Sequence, residues 1–320
     1  MAIYASAFVS WVLCLAPPHS PWFPTASSLA LYLLALLGGS LSLPQKEAFS
    51  RFFLAAQGPV LAAAFVWSGR GGLSFSYLQS LFLWTGLLQA LLALSQALFL
   101  AEERVRGTLG NANTLSQFLL PPLLLASSLP GRGPFSLSIL LGLALFLTGT
   151  RAGWGGALLG AFYLGRQGLL RLTLSLALSL LIPSARRRWT AGSESLRARL
   201  NLWEAAWRLF LRHPLGVGLG QFPRLSGAGV GAHQTYLQLL SELGLPGLLL
   251  ALYPWVHLSR RLEGIAPEGR AFQAIFLAAA FHGLFNSTLQ DPRGSLTLWA
   301  AFGLAALLTS PVPPRTWRDT

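Results

Sequence analysis

Arginine and histidine concentrate in one stretch of an otherwise apolar chain. Between Ser184 and Thr235 stand eight arginines (Arg186, Arg187, Arg188, Arg197, Arg199, Arg208, Arg212 and Arg224) against two glutamates, Glu194 and Glu204. The stretch closes as Gly231-Ala232-His233-Gln234-Thr235-Tyr236, directly before the next apolar run. Guanidinium groups stay charged and present forked donors that match phosphate oxygens. A histidine near neutrality can take a proton from a hydroxyl. A cationic loop ending in such a histidine, set among membrane-like segments, suits an anionic, lipid-linked substrate.

The composition explains why the loop stands out. Of 320 residues, 53% are hydrophobic and only 10% charged, where a soluble domain has about a quarter charged. Mean hydropathy is +0.55. The apolar runs are continuous rather than alternating, which predicts membrane helices and not a β-barrel. The fold class expected is therefore all-α: a polytopic membrane helical bundle, one integral domain over 1–320, with the loop 184–235 within it. The net charge of +13 falls between the apolar runs, so lipid or lipid-linked phosphates are expected as partners and nucleic acid is not. Only ten acids are present, the aspartates being Asp291 and Asp319. No Asp-x-Asp pair offers a carboxylate cage, so neither a metal site nor a cofactor is expected. Cys14 is the single cysteine, which excludes an internal disulfide.

The elements that must position the loop read as spans near 2–16, 27–43, 52–67, 77–101, 115–129, 135–150, 152–165, 168–183, 236–257, 271–288 and 295–310, about 10–12 in all, several shorter than the roughly 20 residues of a straight crossing. Residues 1–16 lack a basic leader, and Pro17-Pro18 follows them, so they are expected to be a retained span and not a signal peptide. Within the loop, Glu194–Leu211 predicts an amphipathic helix, capped by Ser193 and ended by Pro214 and Gly216. Leu196, Leu200, Trp203, Trp207, Phe210 and Leu211 share one face, suited to the lipid interface; Arg197, Glu204, Arg208 and Arg212 share the other. Placing the loop outside the cell puts Arg166, Arg171, Arg260, Arg261, Arg270, Arg315 and Arg318 inside, as the positive-inside rule prefers, yet the loop's own arginines break that rule. Charge alone leaves the sidedness open.

Three segments combine in order. The first is Arg106-Gly107-Thr108-Leu109-Gly110-Asn111-Ala112-Asn113; the second is Thr148-Gly149-Thr150-Arg151-Ala152-Gly153. The third runs Arg199-x-x-x-Trp203, His213-Pro214-Leu215-Gly216-x-Gly218-x-Gly220-x-Phe222, His233-Gln234-x-Tyr236 and Glu242-Leu243-Gly244-x-x-Gly247. The glycine run lacks the preceding strand and the directly following helix of a nucleotide site, so a tight turn is expected there. In this order the segments resemble the O-antigen ligase and Wzy-type polymerase superfamily over roughly residues 100–250. Gln234 stands where asparagine is usual, and the chain is short for the family. The resemblance implies a GT-C-like bundle in the bacterial cytoplasmic membrane. It implies metal-independent, inverting transfer of a glycan from an undecaprenyl-diphosphate-linked donor to a lipid, glycan or protein acceptor outside the cell. Carried over residue by residue, it gives Arg151 and Arg199 to the diphosphate and His233 to the acceptor proton. Arg104, Arg106, Asn111, Asn113, Gln234, Gln238 and Glu242 are candidates for substrate contact; His282 and Asp291 lie near another turn at the same end. The chemistry agrees: charge collects on a departing diphosphate, and with so few acids to hold a metal, arginines are the groups left to neutralise it. A flippase or other transporter of lipid-linked glycan would also want arginines, although no internal repeat is evident.

Overall fold

The computed structural model describes residues 45–309, apart from 101, 103, 184–185, 187–193 and 266, together with Ala30 and Leu33. The expected spans at 2–16 and, but for those two positions, 27–43, the Ser193 cap, Arg187, Arg188 and the tail from 310 lie outside the described residues. Every regular element among the described residues is an α-helix. In chain order these are α1 (Gln45–Arg70), α2 (Phe75–Phe99), α3 (Ala112–Ser128), α4 (Arg132–Leu147), α5 (Arg151–Leu164), α6 (Arg166–Ser179), α7 (Glu194–Arg212), the single turn α8 (Phe222–Leu225), α9 (Thr235–Arg261), α10 (Glu268–Gly283) and α11 (Leu296–Leu308). Each apolar run expected between 52 and 310 coincides with one helix, because a continuous apolar run buries its side chains while the helix pairs its own backbone. By length and composition, two of them, Phe75–Phe99 and Thr235–Arg261, can cross a membrane.

Small residues set the packing. Gly156 and Gly160 of α5 face α10, where a Cβ on Gly156 would stand 2.9 Å from the Ala278 carbonyl oxygen and one on Gly160 3.3 Å from that of Ala274. Only glycine lets two backbones come this close. The consequence is positional: the first residue of α5, Arg151, lies at the same end of the bundle as the last turn of α10. That end collects the 104–111 loop, the α4–α5 turn, the 213–234 loop and the 284–295 turn. The opposite end is tied separately, where the Arg171 guanidinium donates to the carbonyls of Ala126 (2.7 Å) and Leu129 (3.0 Å).

The α9 helix is two helices joined at a break. Gly244 has φ +70° in its interior, and Pro246 has no N–H to give the Glu242 carbonyl. The loop supplies what is missing. Gly218 N donates to the Glu242 oxygen at 2.8 Å and Val217 N to the Ser241 oxygen at 3.0 Å, while Leu245 N turns to the Pro214 oxygen at 3.2 Å. The Ser241 and Glu242 carbonyls and the Leu245 N–H thus find partners in the loop, as buried polar groups require. The contact requires glycine on both sides. A Cβ on Gly216 (φ +88°) would stand 2.4 Å from the Glu242 oxygen, and one on Gly244 would stand 2.4 Å from the Pro214 oxygen. The expected tight turn at Gly216-x-Gly218-x-Gly220 is present, and its task is to dock on α9.

Gly216→Ala and Gly244→Ala should each lower the thermal midpoint of the purified protein clearly more than Gly229→Ala. At Gly229 (φ +69°) an added Cβ meets open space, so only the left-handed backbone cost of about 1–2 kcal/mol applies there. Equal midpoints for the three variants would show that the loop is not seated on the break.

Candidate functional site

The first two sequence segments meet around Asn113. Asn111 caps α3, its Oδ1 accepting from Asn113 N at 2.8 Å. The Asn113 Oδ1 accepts from Arg104 Nη2 at 3.1 Å and from Thr150 Oγ1 at 3.2 Å. Arg104 Nε reaches the Thr148 carbonyl at 3.2 Å. One asparagine therefore ties the 104–113 loop to the α4–α5 turn and sets the residue next to Thr150, the exposed Arg151, at the rim. Arg106 is exposed, and its backbone N donates to Gln96 Oε1 at 2.9 Å. Gln96 and Gln89 of α2 hold this loop, Gln89 by its amide to Thr108 Oγ1 at 2.6 Å. Sequence reasoning passed over both glutamines; their spacing on one face of an apolar helix was the available signal.

The loop helix α7 carries Arg199 inward. Its inner stripe is the buried Ala206 with the partly buried Leu202, Ala205 and Leu209, packed with Phe222, Ala232 and Leu237. Arg199 lies on that stripe, half-buried, with Nη1 donating to the Phe285 carbonyl at 3.1 Å. Trp203, one turn on, rests against the Phe285 ring at 6.3 Å between centroids. This corrects the expected apolar face in part. Trp203 and Phe210 are partly covered by protein, whereas Leu200, Trp207 and Leu211 point outward and are about half exposed (50%, 48% and 59%). The helix therefore has two apolar sides, one on the protein and one free. Arg197, Arg208 and Arg212 are exposed; Glu204 pairs with Arg208 at 2.6 Å, and such surface pairs contribute little.

His233 sits between this helix and α9. It is the non-glycine residue with positive φ (+51°) among the described residues, an uncommon conformation held by its neighbours. On one side, Ala232 N donates to Gln238 Oε1 at 3.2 Å. On the other, Gln234 caps α9, its side-chain oxygen accepting from Leu237 N. Gln238 also receives Ser287 Oγ at 3.1 Å and donates to Glu242 Oε1 at 3.4 Å; both Gln238 and Glu242 are buried. The residues expected to touch substrate thus divide. The side chains of Asn111, Asn113, Gln234, Gln238 and Arg104 make bonds within the protein that shape the site. Arg151, Arg199 and His233 occupy its rim and inner wall. Burial, and secondly the Arg199 charge, hold the His233 imidazole below its ordinary value. Burial likewise works against the Arg199 charge, which the Phe285 carbonyl helps to satisfy.

Two further features adjoin. Asp291 gathers the 284–295 turn, its Oδ1 accepting from the backbone N of Arg293 (3.1 Å) and Gly294 (3.2 Å), and it accepts from the Thr114 hydroxyl. Arg293 Nη1 donates to the Leu109 carbonyl at 3.2 Å, which brings a second exposed guanidinium to the 106–111 loop. An almost wholly apolar cavity opens beside Thr235 between α9, α10 and α11, lined by Tyr236, Trp255, Phe276 and Leu298 among others.

One polar, cationic end of a helical bundle, with a half-buried arginine and a depressed histidine, has the chemistry to meet an anionic group. Residues 136–252 match the family described as O-Antigen ligase. That stretch runs from α4 past the break in α9; the match supports the O-antigen ligase and Wzy superfamily and suggests glycosyltransferase activity of the ligase or polymerase type. It contains Arg151, Arg199, His233, Gln234, Gln238 and Glu242; Arg104, Arg106, Asn111 and Asn113 precede it. No curated protein matches the chain.

Because burial and the Arg199 charge both favour the neutral imidazole, His233 should titrate below the ordinary value of about 6.5 and remain neutral at pH 7. Arg199→Gln should raise its midpoint while leaving it short of the free value, since burial persists. Histidine NMR titration of the detergent-solubilised protein checks this; a His233 midpoint at or above the free value in the native protein would contradict the site geometry.

Proposed function

We propose that this protein transfers a glycan from an undecaprenyl-diphosphate-linked donor to an acceptor hydroxyl at the outer face of the bacterial cytoplasmic membrane. The observation that carries the reading is the pairing of half-buried Arg199 with His233 inside the family-matched segment. In this reading the chain is one multi-pass membrane domain, and the stretch 184–235 is its extracytoplasmic loop. The outward apolar side of α7 (Leu200, Trp207, Leu211) rests on the lipid, where tryptophan at an interfacial helix is favoured.

The proposed reaction uses this placement. Neutral His233 accepts the proton of the acceptor hydroxyl as its oxygen attacks the anomeric carbon from the face opposite the diphosphate. The C1–O bond breaks, its electron pair leaves with the diphosphate, and configuration inverts. Arg151 and Arg199 stabilise the charge that grows on the leaving group, by forked donors whose charge does not depend on pH. The guanidiniums take the role that a metal ion has in other transferases. Arg106 and Arg293, both exposed at the same end, extend the positive field over the donor's approach. The apolar cavity beside Thr235 suits the first isoprenoid units, which remain in the membrane phase while the diphosphate reaches the arginines.

Incubation of the purified protein with donor in vesicles tests this. Release of free undecaprenyl diphosphate with transfer of the glycan supports a transferase, and movement of intact donor across the bilayer without release identifies a transporter. His233→Ala should reduce transfer by about two to four powers of ten, the range of a general base, and Arg151→Ala and Arg199→Ala by at least a comparable amount. Normal transfer by both His233→Ala and Arg151→Ala would overturn the mechanism. Elongation with donor alone marks a polymerase, and a need for added lipid or protein acceptor marks a ligase or a protein glycosylation enzyme.

A further inference from the structure

His282, in the last turn of α10, is fully buried, with all the polar atoms of its ring engaged. Nδ1 lies 2.8 Å from Thr288 Oγ1. Nε2 lies 3.3 Å from Ser116 Oγ and 3.3 Å from the Asn286 amide. The Ser116 hydroxyl spends its proton on the Asn113 carbonyl at 2.9 Å. Towards His282 it therefore accepts, which places the ring hydrogen on Nε2 and leaves Nδ1 to accept from the Thr288 hydroxyl. The Asn286 amide then presents its oxygen to Nε2, since the two amide ends exchange places without a change in shape.

Both limbs of this ring end at the site. Through Ser116, Nε2 reaches the backbone of Asn113, whose side chain holds Arg104 and Thr150 beside Arg151. Through Thr288, Nδ1 reaches the first turn of α9: Thr288 N donates to Thr235 Oγ1 at 2.7 Å, and that hydroxyl donates to the Asn286 carbonyl at 2.9 Å. Thr235 is two residues from His233. Phe285, whose carbonyl anchors Arg199, lies between the two limbs on the same turn. A buried imidazole with two fixed bonding directions is a rigid spacer, because each lost bond would leave an unsatisfied polar group in the apolar interior.

We propose that His282 is a positioning residue that holds His233 and Arg199 in register with the Arg151 rim. It touches no substrate and acts through Thr288–Thr235 on one side and Ser116–Asn113 on the other. This rests on the transfer reading only for its kinetic consequence; the spacer role itself is readable without substrate.

Single replacements separate the limbs. In His282→Asn the amide falls near the Nδ1 position, so the Thr288 limb is kept. In His282→Gln it falls near Nε2, so the Ser116 limb is kept and the Thr235 turn is released. The readout is the NMR titration of His233, with Ser175→Ala, a buried hydroxyl lost from the α6 side of the bundle, as the control for general loosening. The expected result is an upward shift of the His233 midpoint in His282→Gln and His282→Ala, with His282→Asn and Ser175→Ala close to the native value. A native-like midpoint in His282→Gln, or the same shift in Ser175→Ala, would overturn the proposal. If the transfer reading also holds, turnover in His282→Gln falls by up to roughly a hundredfold, the cost of about 1 Å of misplacement, and the acidic limb of its pH–rate profile moves up with His233. If the His233 midpoint shifts and no transfer is found in any form, the spacer stands and the transfer reading fails.

Discussion

The Glu242 carbonyl needs a donor that Pro246 lacks, and the position of the whole cationic loop follows from how that need is met. In an apolar bundle an unpaired carbonyl costs on the order of 1–3 kcal/mol, so a proline break inside α9 has to be filled. The Pro214–Gly218 turn fills it with backbone N–H groups from the loop. The docking then fixes both ends of the loop's descending half, because α7 runs into the turn and α9 begins after it. Arg199 stands on the helix that runs into that seam, and His233 stands just before the helix that contains it.

The second constraint is the close approach of α5 and α10 through Gly156 and Gly160. It brings the start of α5 up to the end of α10, just past which Phe285 receives Arg199. The polar side chains between them are joined in chains of hydrogen bonds, with Asn113 and His282 as the branching points. Such networks are rigid when every member is satisfied. They account for why so many polar residues of the motifs point into the protein: Asn111 and Gln234 cap helices, Asn113 links two loops, and Gln238 holds the backbone before His233. The groups left at the rim are the guanidiniums and the imidazole, the types suited to meeting a phosphate and a hydroxyl.

Electrostatics and backbone geometry agree at His233. The residue adopts a left-handed conformation, pinned by Gln238 on one side and by the Gln234 cap on the other. Its neighbour Arg199 adds positive charge to a half-buried place. Both effects of the surroundings, burial and the arginine, favour a neutral ring, which is the form that can accept a proton. In the proposed reaction the same arginine would serve the anion as well as the state of the histidine.

The sequence by itself determined where the described helices lie, since a continuous apolar run has one economical backbone solution, and between residues 45 and 309 the structure follows it run by run. It also marked which residue types could carry the proposed chemistry: arginines where acids are few, and a histidine at the end of a cationic loop. Only the tertiary structure decided which way each of them points. The pattern of α7 put Leu200, Trp207 and Leu211 on one apolar face with Trp203 and Phe210, because these large residues outweigh the small Ala205 and Ala206; packing instead covers the side of Ala205 and Ala206, which carries Arg199, since small residues allow the closer contact. Likewise the motif asparagines and glutamines read as ligand-binding groups in sequence and serve as caps and ties in space. A side-chain amide bonds whatever polar group is nearest, and what is nearest to Asn113, Gln238 or His282 is set by residues from distant parts of the chain.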